Sequence, residues 1–576
     1  MNSTLKEEVS IVLSGEAGQG IQTIESLLTY ILKREGYYVF ATKEYMSRIR
    51  GGSNSTEIRV SSRPVNSFVE KIDILIPLSK NSVTHLGKRV SDNTFIVADN
   101  ESLKLEMDNL IDVPLLKIAN DLGNPIFANV VAVGVVLGLF GIRIKTIEDY
   151  LIETFGRKGK EIVEGNIQAA SKGYQIGKEL RDKGKIVIDI ETNDQLKEDL
   201  LLSGTDAVAL GALAGGCDSV FAYPMTPGTG VLTAMANFSK DFDIVVEQAE
   251  DEIAAINMAL GSWYAGGRAM VTTSDGGFAL MEEGVSLAGM IESPVVIHLG
   301  QRPAPATGLP TRTAQEALNL VIHAGHGEFP RIVYAPGTLE QAFYLTQKAF
   351  NMADKYQVPV FILTDQFFVD SYSNVKKFDL SDIKIEKHFV ETDEDYKRYD
   401  LSKAVKGVSP RGIPNFGKGL IVVDSDEHDE YGHITENLEI RVKMVDKRLK
   451  KFEAINDEII SPELVGDEDY EYLIVCWGSN YHVVKEAIES IKDKKIAMLH
   501  FSQVFPLDKD AVKYLENAKK VIDVENNATG QFARLFKAET GVSIDSKILK
   551  YNGMPFSVEE LKVKITEKLR GNYNVK

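Results

Sequence analysis

The chain has 576 residues, of which 44% are hydrophobic and 26% are charged, a composition typical of a soluble globular protein with about three or four domains. Its net charge of -18 argues against a nucleic-acid-binding protein. No apolar run reaches the ~18 residues of a membrane span, and the N-terminus lacks the apolar core of a signal peptide, so we expect no membrane partner and a cytoplasmic location.

The sequence pattern of residues 1–185 predicts one α/β domain. Its β-branched runs predict strands at "VSIVLSG", "YYVFAT", "IDILIPL" and "NTFIVAD". "GIQTIESLLTYILKREG" has the spacing of an amphipathic helix, and "NVVAVGVVLGLFG" predicts an apolar helix. The charged run that begins "KGYQIGKELRDKG" is interpreted as a crossover linker.

The rest of the chain predicts two further α/β domains separated by a linker. In residues 186–380, strands such as "SVFAYP", "RAMVTTS", "PVVIHLG" and "VPVFILTD" alternate with helices, which favours a parallel sheet. Residues 381–465 are dense in charge and poor in periodicity, and we interpret them as an irregular linker with one helix, "RVKMVDKRLKKFEAI". Residues 466–576 contain three more buried strands, "EYLIVCWGS", "KKIAMLHFS" and "KKVIDVEN".

A glycine-rich loop joins the first strand to the first helix. Gly15, Gly18 and Gly20 would let backbone N–H groups approach an anion at the start of the helix. The spacing is G-x-x-G-x-G rather than the dinucleotide pattern, so a phosphate-bearing ligand and a tight structural turn both remain open. Arg48 and Arg50, in "MSRIRGGSNSTEIRV", form a second possible anion cradle, or a hairpin-like turn before a strand.

Metal binding by this chain alone is not expected. "SDGGF", which contains Asp275, resembles the start of a thiamine-diphosphate metal motif. That motif needs an asparagine about 25 residues later, and the matching region "LGQRPAPATG" has none, so we reject Asp275 as a metal ligand. Cys217 and Cys476 are too few to hold an iron–sulfur cluster unaided and are interpreted as buried structural thiols.

The segment "VVEQAEDEIAAINMALGSWYAGG" predicts a helix whose first turns carry Glu250, Asp251 and Glu252. At about 100° per residue, the apolar residues of the helix lie within about 80° of Glu252, whereas Glu250 lies about 160° away. Glu252 should therefore face the core, where burial raises the pKa of a carboxyl group. From the helix alone, an acid that shares a proton and a buried glutamate satisfied by backbone N–H groups are equally supported.

The chain is similar to the 2-oxoacid:ferredoxin oxidoreductase family along essentially its whole length. "FAYPMTPGTG", "EQAEDEIAAINMALGSWYAGGRAMVTTSDGG" and "RPAPATGLPTRT" resemble its α subunit, and "GEAGQG" with "YMSRIRGGSNSTEIRVSS" resembles its γ domain. The order γ then α in one chain resembles the fused, 2-oxoglutarate-type members. The resemblance implies a γ domain, a thiamine-diphosphate pyrimidine-binding domain and a transketolase C-terminal-like domain.

The resemblance also implies the cofactors and partners. Thiamine diphosphate would be shared with a separate β subunit, which would hold Mg²⁺ and a [4Fe–4S] cluster. Coenzyme A and a 2-oxoacid would be substrates, ferredoxin would accept electrons, and the assembly would be a dimer of αβ heterodimers. The glycine loop and the two arginines of the γ domain would help to hold coenzyme A.

Site residues follow from the same resemblance. Glu252 would hydrogen-bond N1′ of the aminopyrimidine, with Glu250 as the alternative. Tyr223, Pro224 and Thr226 of "YPMTP" would line the cofactor, and Thr226 would also contact the substrate. Arg312 of "GLPTRT" would bind a carboxylate through its planar fork, or else form a surface pair with Glu316.

The implied reaction is oxidative decarboxylation of a 2-oxoacid, with 2-oxoglutarate expected as the substrate. A pyruvate or branched-chain 2-oxoacid enzyme of the same family is the alternative. A subunit of a non-oxidative thiamine-dependent enzyme and a nucleotide-binding scaffold without catalysis are weaker alternatives. The γ-like segment and the missing metal motif argue against the former, and an inward Glu252 with Arg312 argues against the latter.

Overall fold

The computed structural model describes residues 3–16, 20–46, 52–492, 494–544 and 546–570. The chain divides into two compact units: residues 1–202 with 370–377, and residues 203–369 with 378–576. Strands and helices alternate along both units, which confirms the predicted α/β class. Among the helices so described, none is both long enough and apolar enough to cross a membrane.

The strands, in chain order, are β1 (Ser3–Leu5), β2 (Glu8–Gly15), β3 (Tyr38–Glu44), β4 (Asn54–Ser61), β5 (Ile74–Pro77), β6 (Phe95–Ala98), β7 (Leu110–Asp112), β8 (Ile186–Ile188), β9 (Leu200–Ser203), β10 (Ser219–Ala222), β11 (Val245–Gln248), β12 (Ala269–Ser274), β13 (Val295–Gln301), β14 (Ile332–Tyr334), β15 (Pro359–Asp365), β16 (Tyr372–Val375), β17 (Glu463–Gly466), β18 (Tyr472–Trp477), β19 (Ile496–Phe501), β20 (Gln503–Phe505), β21 (Lys520–Glu525) and β22 (Ser546–Leu549).

The α-helices, in chain order, are α1 (Ile21–Arg34), α2 (Lys80–Leu86), α3 (Asn100–Leu103), α4 (Leu115–Asp121), α5 (Ala128–Phe140), α6 (Ile144–Phe155), α7 (Lys160–Asp182), α8 (Gly204–Ala214), α9 (Thr229–Phe238), α10 (Glu252–Tyr264), α11 (Asp275–Phe278), α12 (Glu282–Met290), α13 (Leu318–His323), α14 (Leu339–Tyr356), α15 (Gln366–Asp370), α16 (Leu438–Asn456), α17 (Asn480–Glu489), α18 (Val512–Glu516), α19 (Gln531–Thr540) and α20 (Val558–Arg570). Short 3₁₀ turns occupy Pro125–Phe127, Gly156–Lys158, Asp194–Glu198 and Lys509–Ala511.

The first unit is built on an eight-stranded mixed sheet with the order β7-β6-β5-β2-β4-β3-β16-β9. Strands β2, β5, β6 and β7 run parallel, whereas β4, β3 and β16 pair with their neighbours in antiparallel fashion. Strand β16 reaches this sheet from a much later part of the chain. Its Tyr372 and Ser373 pair with Ala41 and Phe40 of β3.

Helices α5 and α7 pack against each other through glycines. A Cβ atom at Gly134 or Gly138 of α5 would collide with the backbone of α7, and one at Gly173 or Gly177 of α7 would collide with α5. Every residue of α5 is buried, as its apolar run predicts. The crossover-linker interpretation is wrong for residues 172–182, which form the end of α7. Its buried face consists largely of alanine and glycine, which give only a weak hydrophobic pattern.

The second unit contains a seven-stranded sheet with the order β11-β10-β12-β13-β15-β14-β20. All neighbours in it are parallel except β14 and β20. Strands β12, β13 and β15 are buried along their whole length. Helix α10 packs on this sheet with the predicted stripe inward, comprising Ala255, Ile256, Ala259, Leu260 and Trp263.

The same unit also contains a five-stranded sheet with the order β17-β19-β18-β21-β22, of which only β17 is antiparallel to its neighbour. Residues 378–437, all of them described, form isolated bridges but no longer strand or helix. Helix α16 follows and is held by a buried ion cluster: the Nζ atoms of Lys447 and Lys451 lie 2.7 and 2.6 Å from Glu292 Oε2.

Candidate functional site

Parallel strands of the seven-stranded sheet bring several polar segments to one edge. Residues 223–228 follow β10, residues 251–252 follow β11, residues 274–277 lie at the end of β12, and Arg302 follows β13. The carboxyl ends of parallel strands share an edge, and ligands of α/β proteins bind preferentially there. This edge therefore holds the candidate site.

Glu252 is buried at this edge, with 3% of its surface exposed. Its Oε1 atom and Thr273 Oγ1 have no hydrogen-bond partner among the residues the structure describes. Gly277 lies directly against both side chains, since a Cβ atom there would collide with each of them. Burial raises the pKa of the Glu252 carboxyl group, and the nearby Asp251 carboxylate adds to that rise. The Glu252 carboxyl group therefore holds its proton more tightly than an exposed glutamate does.

The start of α10 separates Glu252 from its neighbouring acids. Asp251 is the N-cap, and its Oδ1 atom accepts a hydrogen bond from Ala254 N at 2.7 Å. Glu250 is exposed and precedes the helix, so the helical angle assigned to it from the sequence does not apply. The inward direction predicted for Glu252 agrees with the structure, because the apolar periodicity begins at that residue.

Arg302 also belongs to the site, although it is not among the site residues predicted from the sequence. It is 6% exposed, and its Nη1 atom donates a hydrogen bond to the carbonyl oxygen of Thr226 at 2.8 Å. Its Nε atom has no hydrogen-bond partner within the described part of the chain. The available signal was its position, a basic residue directly after the buried strand "PVVIHLGQ" at the ligand-binding edge.

Asp275 lies close to the guanidinium group of Arg302. Its Oδ1 atom is 3.9 Å from Arg302 Nε and accepts a hydrogen bond from Gly276 N at 3.0 Å. Burial raises the pKa of Asp275 to about 6, although the arginine and the backbone N–H act in the opposite direction. Asp275, Arg302 and Thr226 thus form one connected polar group, in which Thr226 is half-buried.

A buried hydrogen-bond chain lies beneath the loop that carries Thr226. Thr272 Oγ1 donates to Gly228 O at 3.0 Å and lies 2.8 Å from His298 Nδ1, while His298 Nε2 lies 2.9 Å from Thr364 Oγ1. Burial lowers the pKa of His298 to about 3, so the ring is neutral. Because Thr272 uses its hydrogen on Gly228, His298 must carry its own hydrogen on Nδ1. These hydrogen bonds fix the end of the loop to strands β12, β13 and β15.

Of the other predicted cofactor contacts, Tyr223 is 40% exposed and Pro224 is half-buried. Arg312 is half-buried, and its Nη1 atom donates to Met554 Sδ at 3.3 Å. Glu316, the alternative partner for Arg312, accepts a hydrogen bond from Ala304 N at 2.9 Å. The hydrogen bonds of the site thus join Arg302 to Thr226, while Arg312 contacts the C-terminal region.

The glycine loop of the first unit lies at the carboxyl end of β2. Gly15 ends that strand, and Gly20, with a φ of 70°, caps α1 next to Asn129. Gly18, Arg48 and Arg50 lie outside the described residues. A cavity of about 320 Å³ adjoins this edge, and its lining includes Pro77, Leu78, Asp99, Ser102, Leu116 and Asn129.

Two family descriptions match the chain. Residues 210–447 match "Pyruvate flavodoxin/ferredoxin oxidoreductase, thiamine diP-bdg", so a thiamine-diphosphate-binding domain contains the site just described. Residues 10–176 match "Pyruvate ferredoxin/flavodoxin oxidoreductase".

Similar proteins include the 2-oxoacid:ferredoxin oxidoreductase subunit alpha of a Sulfolobus species, 32% identical with 96% of each chain covered. The 2-oxoglutarate synthase subunit KorA of Methanocaldococcus jannaschii is 33% identical over 57% of this chain and 88% of its own. A structure of 2-oxoglutarate:ferredoxin oxidoreductase from Magnetococcus marinus, with 2-oxoglutarate, coenzyme A and succinyl-CoA bound, matches 98% of this chain and 100% of that one. Its TM-score is 0.91 at 29% identity. The family resemblance inferred from the motifs is thereby confirmed: this chain belongs to the α subunits of the 2-oxoacid:ferredoxin oxidoreductases, an oxidoreductase family.

Proposed function

We propose that this chain is the α subunit, with a fused γ region, of an enzyme that acts on 2-oxoglutarate. The reaction would convert 2-oxoglutarate and coenzyme A to succinyl-CoA and CO₂, with two electrons passing to ferredoxin. The main support is the likeness over 98% of the chain to the Magnetococcus marinus structure, whose ligands are 2-oxoglutarate, coenzyme A and succinyl-CoA. Pyruvate or a branched-chain 2-oxoacid is the alternative substrate, because the Sulfolobus relative is named for 2-oxoacids in general.

The domain roles proposed with this function are those expected from the motifs. Residues 1–185 would form the γ domain, residues 186–380 the pyrimidine-binding domain, and residues 466–576 the transketolase C-terminal-like domain, with 381–465 as the linker. The γ domain would hold coenzyme A near Gly15 and Gly20, where strand ends and the 320 Å³ cavity meet.

Thiamine diphosphate, when bound, supplies an electron sink for the loss of CO₂ from a 2-oxoacid. The site fits the aminopyrimidine end of this cofactor. Glu252 Oε1 and Thr273 Oγ1 are buried there and have no hydrogen-bond partner among the described residues, so both could bond the ring. Glu252 would hold a proton and hydrogen-bond N1′ of the aminopyrimidine. The direction of its pKa shift suits that role, because burial moves the pKa upward, toward the working pH at which a general acid or base is most effective. Tyr223 and Pro224 would line the cofactor.

Substrate recognition is assigned to Thr226 and Arg312. The Thr226 hydroxyl would contact the 2-oxo or carboxylate group, and the Arg312 guanidinium group would bind a carboxylate in bidentate fashion. Arg302 would keep the Thr226 backbone in place through its 2.8 Å hydrogen bond and would add a buried positive charge beside the substrate. A dicarboxylate such as 2-oxoglutarate offers this pair of arginines more negative charge than pyruvate does.

The remaining parts of the enzyme would come from a partner. The relatives are named as α subunits, which supports a β subunit that carries the diphosphate-binding Mg²⁺ site and the [4Fe–4S] cluster. A dimer of such αβ heterodimers, acting in the cytoplasm with ferredoxin as acceptor, completes the proposal.

The deciding experiment is to produce the chain alone and with its β subunit, and to measure reduction of ferredoxin. We expect activity only from the complex, only with coenzyme A, and with kcat/KM at least about tenfold higher for 2-oxoglutarate than for pyruvate, a difference of about 1.4 kcal/mol. A preference for pyruvate or a branched-chain acid would support the alternative substrates. Full activity of the isolated chain would contradict the two-subunit proposal.

A further inference from the structure

Gln315 is a buried side chain that no step of the proposed chemistry uses. It lies between β13 and α13 and is 0% exposed. Its Oε1 atom accepts hydrogen bonds from Asn480 Nδ2 at 2.8 Å and from Asn526 N at 3.0 Å, and its Nε2 atom donates to Trp477 O at 2.9 Å. Its backbone N–H donates to Asn526 O at 2.8 Å, and its carbonyl accepts from Asn527 Nδ2 at 3.0 Å. Both its amide atoms and its backbone polar groups are thus bonded to the five-stranded-sheet region.

Arg312 and Thr313 also bond the C-terminal region. Thr313 N donates to Gly553 O at 3.1 Å, while its Oγ1 atom donates to Asp365 Oδ1, at the end of β15, at 3.1 Å. Arg312 Nη1 donates to Met554 Sδ at 3.3 Å. Residues 312–315 are therefore bonded both to residues 477–527 and to residues 553–554, and these bonds form the clamp.

The N-terminal approach to Arg312 is exposed at residues 304–309. It is held by local bonds, from Leu309 N to Pro303 O and from Arg312 N to Leu309 O, each at 3.1 Å, and by the bond from Ala304 N to Glu316. On the C-terminal side, by contrast, the buried Gln315 bonds a distant part of the chain, and this side contributes the long-range support of the Arg312 backbone. Bidentate recognition of a carboxylate depends on such placement, because an error of about 1 Å in a positioning group can cost roughly 10²-fold in rate.

We propose that Gln315 is a positioning residue for substrate recognition, which fixes Arg312 by clamping its segment to Trp477, Asn480 and Asn526. This inference rests on the substrate role proposed for Arg312. It assigns to the C-terminal region a function in 2-oxoacid binding, although its side chains need not touch the substrate.

The test uses the complex with the β subunit and the variants Gln315→Glu and Gln315→Met. Glutamate keeps the shape but replaces the donor opposite Trp477 O with an acceptor, and methionine removes the polar atoms at similar volume. Gln503→Glu is the matched control. Gln503 is 2% exposed, and its amide bonds Ile460 N and Pro506 O, which lie outside the segment 312–315. Circular dichroism and thermal unfolding establish that each variant is folded, and methionine serves if glutamate does not fold.

We expect the KM for 2-oxoglutarate to rise about tenfold or more in the Gln315 variants, with kcat and the KM for coenzyme A changed less than about threefold. The control should lose comparable thermal stability without the change in KM. A merely structural role for Gln315 would move the melting temperature and leave KM unchanged, and that result would overturn the proposal.

A double-mutant cycle with Arg312→Lys tests whether Gln315 acts through the arginine. If it does, the double variant should have nearly the KM of Arg312→Lys alone, and fully multiplicative effects would overturn the proposal. If Arg312→Lys itself leaves KM unchanged, the substrate role of Arg312 is wrong and the positioning role falls with it. If only Arg312→Lys raises KM, the positioning role alone falls.

Discussion

Replacing Glu252 by glutamine removes a proton-holding group with almost no change in shape. A positioned acid or base contributes about 10²–10⁴-fold to a rate. At about 1.36 kcal/mol per decade, this corresponds to a barrier increase of roughly 2.7–5.4 kcal/mol. We therefore expect kcat of the Glu252→Gln complex to fall at least about 100-fold. The readout is 2-oxoacid-dependent ferredoxin reduction.

The fold should tolerate Glu252→Gln, and the raised pKa of Glu252 predicts the sign of the change in thermal stability. A carboxyl group whose pKa is raised on folding contributes stability that is fully present below its unfolded pKa and is lost as the pH rises through the folded pKa. Glutamine has no such loss. The melting temperature of the variant should therefore equal or exceed that of the wild type, with a gap that widens as the pH is raised.

Glu250→Gln is the matched control, because Glu250 is exposed and precedes the helix. It should change kcat by less than about threefold, as expected of a surface substitution. Equal losses in the two variants, or a larger loss at Glu250, would show that the buried carboxyl is not the group that holds the proton.

Three further predictions concern other parts of the structure. Arg302→Lys should lower kcat/KM for 2-oxoglutarate about tenfold or more. A lysine ammonium group cannot both bond Thr226 O and present the planar, two-donor face of a guanidinium group to a carboxylate. An unchanged kcat/KM would exclude Arg302 from the site. Gly177→Ala should destabilise the first unit by about 1–3 kcal/mol or more in urea unfolding, whereas Gly156→Ala, where a Cβ meets nothing within 4 Å, should not. Asp523→Asn should raise the melting temperature above that of the wild type by an amount that grows with pH, because burial raises the pKa of Asp523 well above its usual range. A difference in melting temperature that stays constant with pH would contradict this.

The sequence predicted features that depend on local pattern. The inward direction of Glu252 followed from the spacing of Ile256, Leu260 and Trp263, which one helix contains. Gln315 could not be found in this way, because its partners Asn480 and Asn526 are 165 and 211 residues away in the chain. Only the fold brings them together.

Two other features were missed for related reasons. Arg302 had a usable signal in its position after a buried strand, but its bond to Thr226 crosses 76 residues. The end of α7 has the charged pattern of a linker, because its contact with α5 is made by glycine and alanine. Close packing of backbones requires small residues, and small residues contribute little to a hydrophobic pattern.

Strand β16 has a consequence for how the chain is made. The eight-stranded sheet continues from β3 through Tyr372–Val375 to Leu200–Ser203, so β9 is joined to the rest of the sheet only by a strand that follows it by about 170 residues. Strand β16 follows β3 by about 330 residues, so at a synthesis rate of about 5–20 residues per second the edge of β3 waits roughly 16–66 seconds on the ribosome for its neighbour. During that time it presents unpaired N–H and C=O groups to other nascent chains. A gene divided between residues 202 and 203 would leave this strand on the other polypeptide, and the first product would keep an open edge for its lifetime.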